Sequence, residues 1–162
     1  MERLERDDLN RVLKTLTVDE KCSLLSGADQ WHTEGIPGKG VPPIMVSDGP
    51  HGLRAQSGGG DHVGIGDSEP ATCFPPAATL ACSWDPSLVR AVGEAIGDEA
   101  RALGVSVVLG PGVNIKRSPL CGRNFEYYSE DPLLAGELAA AFVTGVQARG
   151  IGACLKHFAV NN

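Results

Sequence analysis

No stretch of this chain approaches the ~18 consecutive apolar residues that a membrane-spanning helix needs. Its first residues, Met1-Glu2-Arg3-Leu4-Glu5-Arg6-Asp7-Asp8, are charged and contain no apolar core of a secretory signal. The expected compartment is the cytoplasm, with no membrane partner. The five cysteines, Cys22, Cys73, Cys82, Cys121 and Cys154, include no C-x-x-C pair and are odd in number. They read as buried free thiols, not as a disulfide frame. Basic clusters are missing as well: 14 Lys and Arg stand against 20 Asp and Glu, for a net charge of -6. Scattered cations with that balance argue against nucleic acid as a partner. The glycines make no nucleotide loop. Residues 57–69 hold five of them with no Gly-Lys-Ser/Thr behind, and Gly35-Ile36-Pro37-Gly38-Lys39-Gly40 lacks the hydroxyl residue and a preceding strand. No G-x-S-x-G elbow marks a serine nucleophile. His32, His51, His62 and His157 have no metal-ligand spacing, so neither metal nor cofactor is expected.

What is present is a regular alternation. The 162 residues suffice for one domain with a real core. Leu9, Val12, Leu13 and Leu16 recur at helical spacing, and Thr17 with Glu20 forms a capping box for a second helix that Gly27 is expected to stop. Ile44-Met45-Val46 reads as a buried strand running into Asp48, and residues 57–69 as a mobile surface loop. Thr79-Leu80-Ala81-Cys82 reads as another strand. Asp85-Pro86 then opens a helix with Leu88, Val89, Val92, Ile96, Ala100 and Leu103 on its inner face, closed by Gly104. Val105-Ser106-Val107-Val108-Leu109 is a β-branched strand, Asp131-Pro132 opens a helix carrying Leu134, Leu138, Phe142 and Val146 inward, and residues 151–158 supply a last strand. The pattern predicts an α/β fold of about four parallel strands buried on both faces. An open doubly wound sheet and the first half of a (β/α)8 TIM-type barrel both fit it. A whole barrel usually takes ~250 residues. Polar residues at the predicted strand ends favour the barrel, whose enzymes build their sites on that face.

Three polar clusters stand out against this background. Asp48 lies in Ser47-Asp48-Gly49-Pro50-His51-Gly52-Leu53-Arg54, and Arg123 in Gly122-Arg123-Asn124-Phe125-Glu126-Tyr127-Tyr128-Ser129-Glu130-Asp131-Pro132. The third is the tail Lys156-His157-Phe158-Ala159-Val160-Asn161-Asn162. Asp48 before Gly-Pro serves equally as a turn former, while Arg54 six residues on makes with it a fork for vicinal hydroxyls. Arg123 fits an ion pair with Glu126, Glu130 or Asp131 as well as it fits a ligand site. Lys156 is harder to explain structurally, because Ala153, Cys154, Leu155 and Phe158 around it are apolar. Neighbours on a strand point to opposite faces, so regular pleating would send only one of Lys156 and His157 to a site.

Together these motifs resemble the N-terminal domain of glycoside hydrolase family 3, the β-glucosidases and their relatives. The resemblance runs from Leu16-Thr17-Val18-Asp19-Glu20-Lys21 through Thr72-Cys73-Phe74-Pro75-Pro76-Ala77 and Gly110-Pro111 to Lys156-His157-Phe158. It implies that 1–162 is part of such a barrel domain, with helices and a loop in 1–43 and the first βα units in 44–162. It also implies substrate-binding roles at subsite -1: Asp48 accepting from the sugar's hydroxyls, Arg54 and Arg123 lining the subsite, Lys156 and His157 bonding ring hydroxyls. Members of the family retain configuration by using two carboxyl groups, ~5–5.5 Å apart in retaining enzymes. The nucleophile resembles an Asp in a later Ser-Asp-Trp-like strand end, and the acid/base comes from a second domain; no such motif occurs in this chain, so no catalytic residue is expected within it. The tail lacks the Lys-His-Phe-Pro-Gly-His-Gly of the β-N-acetylglucosaminidase branch and is similar to the β-glucosidase branch. The implied partners are a small β-glucoside or oligosaccharide and the remaining C-terminal part of the enzyme. The implied activity is hydrolysis of terminal non-reducing β-D-glucosyl residues by the parent protein, this stretch alone being inactive. β-Xylosidase or α-arabinosidase relatives, and a non-catalytic sugar-binding or assembly module, are the alternatives.

Overall fold

The computed structural model describes residues 6–56 and 66–161. Three short strands, β1 (Val46–Ser47), β2 (Val107–Val108) and β3 (Gly152–Ala153), form one parallel sheet in that order. Val46 is in register with Val107 and Val107 with Gly152, while Ser47, Val108 and Ala153 follow in step. Hydrogen bonds carry the pairing past these limits: Leu109 N–H donates to Ser47 O (2.8 Å) and Cys154 N–H to Val108 O (3.1 Å). Parallel strands in step release their next residues at one end. Asp48, Leu109 and Cys154 therefore leave the sheet side by side.

The helices stand largely where capping chemistry predicts. α1 (Arg6–Thr15) is followed by α2 (Val18–Ser23), whose capping box is complete. Thr17 Oγ1 accepts from Glu20 N–H (3.2 Å), and Glu20 Oε2 accepts from Thr17 N–H (2.7 Å). α2 stops at Ser23, short of Gly27. α3 spans Ala77–Ala81 and α4 Pro86–Ala102, where the Asp85 carboxylate accepts from Ser87 N–H (2.8 Å) and Leu88 N–H (3.2 Å). α5 (Pro132–Ala148) is capped by Asp131 in the same way. Gly104 and Gly150 turn each long helix into its following strand with φ of +73° and +78°, a region glycine enters without steric cost.

α4 and α5 lie against each other and cover the sheet. Val89, Val92, Ile96 and Ala100 meet Leu138, Phe142 and Val146, with Val105, Val108 and Ile151 beneath. Ile96, Leu138 and Phe142 are essentially fully buried, and each large apolar side chain so buried contributes roughly 1.5–3 kcal/mol. The helices approach at glycines. A Cβ on Gly93 would sit 2.5 Å from Phe142 O, and one on Gly145 only 2.3 Å from Arg90 O.

Several sequence expectations are corrected here. Thr79-Leu80-Ala81-Cys82 belongs to helix α3 and its C-cap, not to a strand, so the described sheet has three strands instead of about four. Four apolar residues are too few to separate strand from helix, and the Ala-rich run after Pro76 favours the helix. Leu88 is half exposed and off the inner face of α4. The cysteines are free but not buried: Cys22, Cys73, Cys82 and Cys154 are exposed and Cys121 is half-buried. Residues 57–65 of the expected loop, with His62, lie outside the described residues. Among the described residues no helix is long and apolar enough to cross a membrane.

The close helix crossing makes a direct prediction. Gly145→Ala gains ~1 kcal/mol of helix propensity but drives a methyl group into the backbone of α4. Overpacking of this kind costs roughly 1–3 kcal/mol, so the urea midpoint is expected to fall. A rise in the midpoint would show that α4 and α5 are not in backbone contact.

Candidate functional site

The site begins at the exit of β1. Gly49 holds φ at +110°, and a Cβ there would lie 2.0 Å from Gly52 O, so only glycine fits. Gly52 N–H bonds back to Gly49 O (3.2 Å), and Arg54 N–H donates to Asp48 O (3.0 Å). The turn thus returns Arg54 to the side of Asp48. Asp48 opens the turn, and the same turn leaves its carboxylate within reach of the Arg54 charge. The Arg54 guanidinium lies 5.7 Å from the ring centroid of the buried Trp31, a cation–π approach that steers its fork. Trp31 is held by its indole N–H donating to Gln56 Oε1 (3.1 Å). No motif drew attention to Trp31.

Past β3 the chain leaves the sheet, and strand alternation no longer governs it. Lys156 N–H donates to Pro111 O (3.1 Å), and Lys156 O accepts from Val113 N–H (2.8 Å), so the tail runs along the exit of β2. Lys156 Nζ reaches Asp48 Oδ1 at 2.7 Å, joining the ends of β1 and β3. His157 faces the same site. Its backbone is clasped by Asn114, whose Oδ1 accepts from His157 N–H (2.7 Å) while its Nδ2 donates to His157 O (3.2 Å). Both members of the Lys-His pair therefore reach the site.

Arg123 arrives from the long excursion after β2. A 3₁₀ turn over Asn124–Glu126 follows it, with Asn124 Nδ2 donating to Ser118 O (2.7 Å). Of its three possible acidic partners, Arg123 takes Glu126, donating through Nε. That leaves Nη2 to meet His157 Nε2 at 2.8 Å. His157 Nδ1 lies 2.8 Å from Tyr127 Oη, which also accepts from Asn161 Nδ2 (2.7 Å). Tyr127, Asn114 and Asn161 were not singled out from the sequence, and Glu126 only as a possible ion-pair partner of Arg123. The only available signal was a carboxylate beside two tyrosines, which ends up buried together with both of them.

The charges set the protonation states. Burial pushes the Asp48 carboxyl upward, but the Lys156 ammonium, the Gly49 N–H and the Arg54 charge outweigh it, so its pKa lies below the ordinary value and it stays ionised. Glu126 holds the Arg123 guanidinium above its ordinary range. His157 is lowered by burial and then by the Arg123 charge. His51 is lowered by burial too, and neither of its ring nitrogens has a hydrogen-bond partner among the described residues. No three His, Cys, Asp or Glu side chains cluster as a metal site among the described residues. A carboxylate, two guanidiniums, an ammonium and a neutral imidazole on one face offer donors and acceptors matched to adjacent hydroxyls.

This arrangement and fold define a class. Residues 50–161 match the glycosyl hydrolase family 3 N terminal domain, and the chain belongs to that family. Thermostable beta-glucosidase B of Acetivibrio thermocellus is 59% identical over 155 residues, covering 96% of this chain and 20% of the relative. An exo-alpha-(1->6)-L-arabinopyranosidase of Bifidobacterium longum is 57% identical over 153 residues, covering 93% and 20%. Among solved structures, beta-glucosidase 3B of Thermotoga neapolitana in complex with glucose superposes with a TM-score of 0.86 at 42% identity, over 96% of this chain and 23% of that one. The Bifidobacterium adolescentis GH3 beta-glucosidase gives 0.83 at 55% identity, over 93% and 21%. The chain thus spans about a fifth of the length of these relatives.

Both depressed histidines bind fewer protons folded than unfolded. Their contribution to stability is present above the ordinary histidine value of about 6.5 and is lost as pH falls through the lowered folded values. The thermal midpoint is expected to drop between about pH 7.5 and about pH 5.5, and His51→Gln should flatten part of that slope. An unchanged slope in that variant would show that His51 is freely solvated.

Proposed function

We propose that this chain forms the glycone-binding half of a retaining β-glucosidase barrel, acting on terminal non-reducing β-D-glucosyl residues. The Lys156–Asp48 ion pair carries the reading. The Lys156 side chain is only 15% exposed, a costly position for an ammonium unless its polar end has work at the strand-end face. The Asp48 side chain stays 42% exposed and so open to a hydroxyl, the Arg54 and Arg123 forks flank it, and His157 completes the set. The relatives named beta-glucosidases, one of them with bound glucose, support the substrate class.

In this reading the domain binds and orients while two further carboxyl groups, supplied by the longer polypeptide, cleave the bond. The sheet continues past β3 toward barrel closure. An apolar groove of about 370 Å³ beside β3, lined by Val113, Ile115, Ala135, Ala139, Val143 and Leu155, suits a following βα unit. On the same reading, residues 1–43 are the N-terminal helices and entry loop and residues 44–162 the first βα units.

A second reading has a specific observation behind it. The arabinopyranosidase relative is nearly as similar as the glucosidase, so an α-L-arabinopyranoside is the competing substrate. Assaying the full polypeptide on the two aryl glycosides separates them, with faster turnover of the β-D-glucoside expected.

Asp48→Ala in that polypeptide removes a charge-assisted bond worth roughly 1.5–3 kcal/mol, so kcat/KM is expected to fall by roughly ten-fold to more than a hundred-fold. Near-wild-type kinetics would sink the glycone assignment. The 162-residue chain alone is expected to show no turnover of p-nitrophenyl β-D-glucoside. Turnover above background, abolished by Glu126→Gln, would mean that the chemistry lies within it.

A further inference from the structure

The hydrogen bonds around His157 have a direction. An arginine guanidinium only donates. Arg123 Nη2 lies 2.8 Å from His157 Nε2, so Nε2 must present its lone pair and carry no proton. The ring proton then resides on Nδ1, which points at Tyr127 Oη at 2.8 Å. Tyr127 Oη has two acceptor positions and also receives Asn161 Nδ2–H. At the other end Glu126 takes the Nε–H of Arg123 and so fixes which edge of the guanidinium faces the imidazole. Every step runs from donor to acceptor without conflict.

We propose that Tyr127 is a positioning residue that locks His157 in the neutral Nδ1–H tautomer, with Glu126 holding Arg123 against the Nε2 lone pair. No other described polar contact of the imidazole competes for Nδ1. The tyrosine ring is fully buried and meets the imidazole edge-on at 5.9 Å between centroids. Its hydroxyl is therefore presented from a fixed frame, and Asn114 fixes the other end of the residue by gripping the His157 backbone. The charged and titratable groups acting on the imidazole are Arg123 and Lys156, which oppose its protonation, and Glu126 and Asp48, which favour it. Without the Tyr127 hydroxyl, Nδ1–H loses its acceptor. The ring is then free to move its proton to Nε2, where it would oppose the Arg123 donor.

The consequence for ligand recognition rests on the glycone-binding reading above. A sugar hydroxyl entering between Arg123 and a neutral His157 would accept from the guanidinium and donate to the Nε2 lone pair in Arg123's place. The Nε2–H tautomer would turn that acceptor into a donor and leave two donors facing each other.

The test uses the full polypeptide labelled with 15N-histidine, studied by magic-angle-spinning NMR at neutral pH, with His157→Gln identifying the signal. The expected wild-type spectrum has a protonated Nδ1 and a bare Nε2, and Tyr127→Phe, which preserves ring packing, loses that pattern. A wild-type signal with the proton on Nε2, or on both nitrogens, overturns the proposal without Tyr127→Phe having to fold. So does a Tyr127→Phe spectrum unchanged from wild type. In kinetics on an aryl β-D-glucoside, Tyr127→Phe is expected to lower kcat/KM about ten-fold. If His157→Gln instead left the kinetics untouched, the glycone reading would fail while the wild-type and Tyr127→Phe spectra together still established the tautomer lock.

Discussion

The ion pair between Lys156 and Asp48 is the constraint on which the site depends. It ties residues 108 positions apart in sequence, from the exits of β1 and β3, across the exit of β2. Its value is not chiefly stability. Taking a pair of charges partly out of water offsets much of their attraction, and such a pair is often close to neutral in free energy, whereas losing one partner is strongly destabilising. The pair instead fixes where two opposite charges stand relative to each other. In-step parallel strands make that possible, because all three exits open at one end of the sheet. The core formed by α4 and α5 keeps the strands there, and the site inherits its rigidity from that core.

Around this pair the remaining side chains divide into those facing the site and those that aim them. Trp31 aims Arg54, Glu126 aims Arg123, and Asn114 with Tyr127 aims His157. Each aiming residue is buried or half-buried. A polar group at low dielectric makes stronger, more directional hydrogen bonds, provided each member is satisfied. In the chain Glu126–Arg123–His157–Tyr127–Asn161 each hydrogen bond pairs one donor with one acceptor. Positioning of this kind reduces the ordering that a ligand must otherwise impose.

Much of the fold was legible in the sequence because it rests on local chemistry. Asp85-Pro86 and Asp131-Pro132 announce their helices, and Gly104 and Gly150 mark the far ends, since capping and left-handed turns are decided by a few neighbouring residues. The α3 segment was misread because four apolar residues carry no periodicity. Asp48, Arg54, Arg123, Lys156 and His157 drew attention as polar residues beside Gly, Pro or apolar runs, and the structure brings them to one face. What stayed hidden were the residues whose meaning is purely spatial. Nothing in the sequence links Tyr127 to His157 or Asn114 to the tail. The pleating rule set Lys156 against His157, and it lost its force because β3 ends at Ala153, before either residue.

The protonation states also divide the labour. Glycoside cleavage with retention needs one carboxyl that ionises freely enough to attack and another that holds a proton near neutral pH. Asp48 is held ionised by Lys156 and by the Arg54 charge, which unfits it to donate a proton. Glu126 is 5% exposed and bound to Arg123, so its carboxylate is engaged in aiming that guanidinium. Both carboxylates on this face are thus committed to cations, and the face as a whole is an array of fixed charges and oriented dipoles. Such an array suits holding hydroxyls in place while bonds change elsewhere, because preorganised groups need not rearrange at the moment of reaction. The proposed reading, in which the reacting carboxyls come from elsewhere, fits this: the Lys156 ammonium that makes Asp48 a good anchor makes it a poor proton donor.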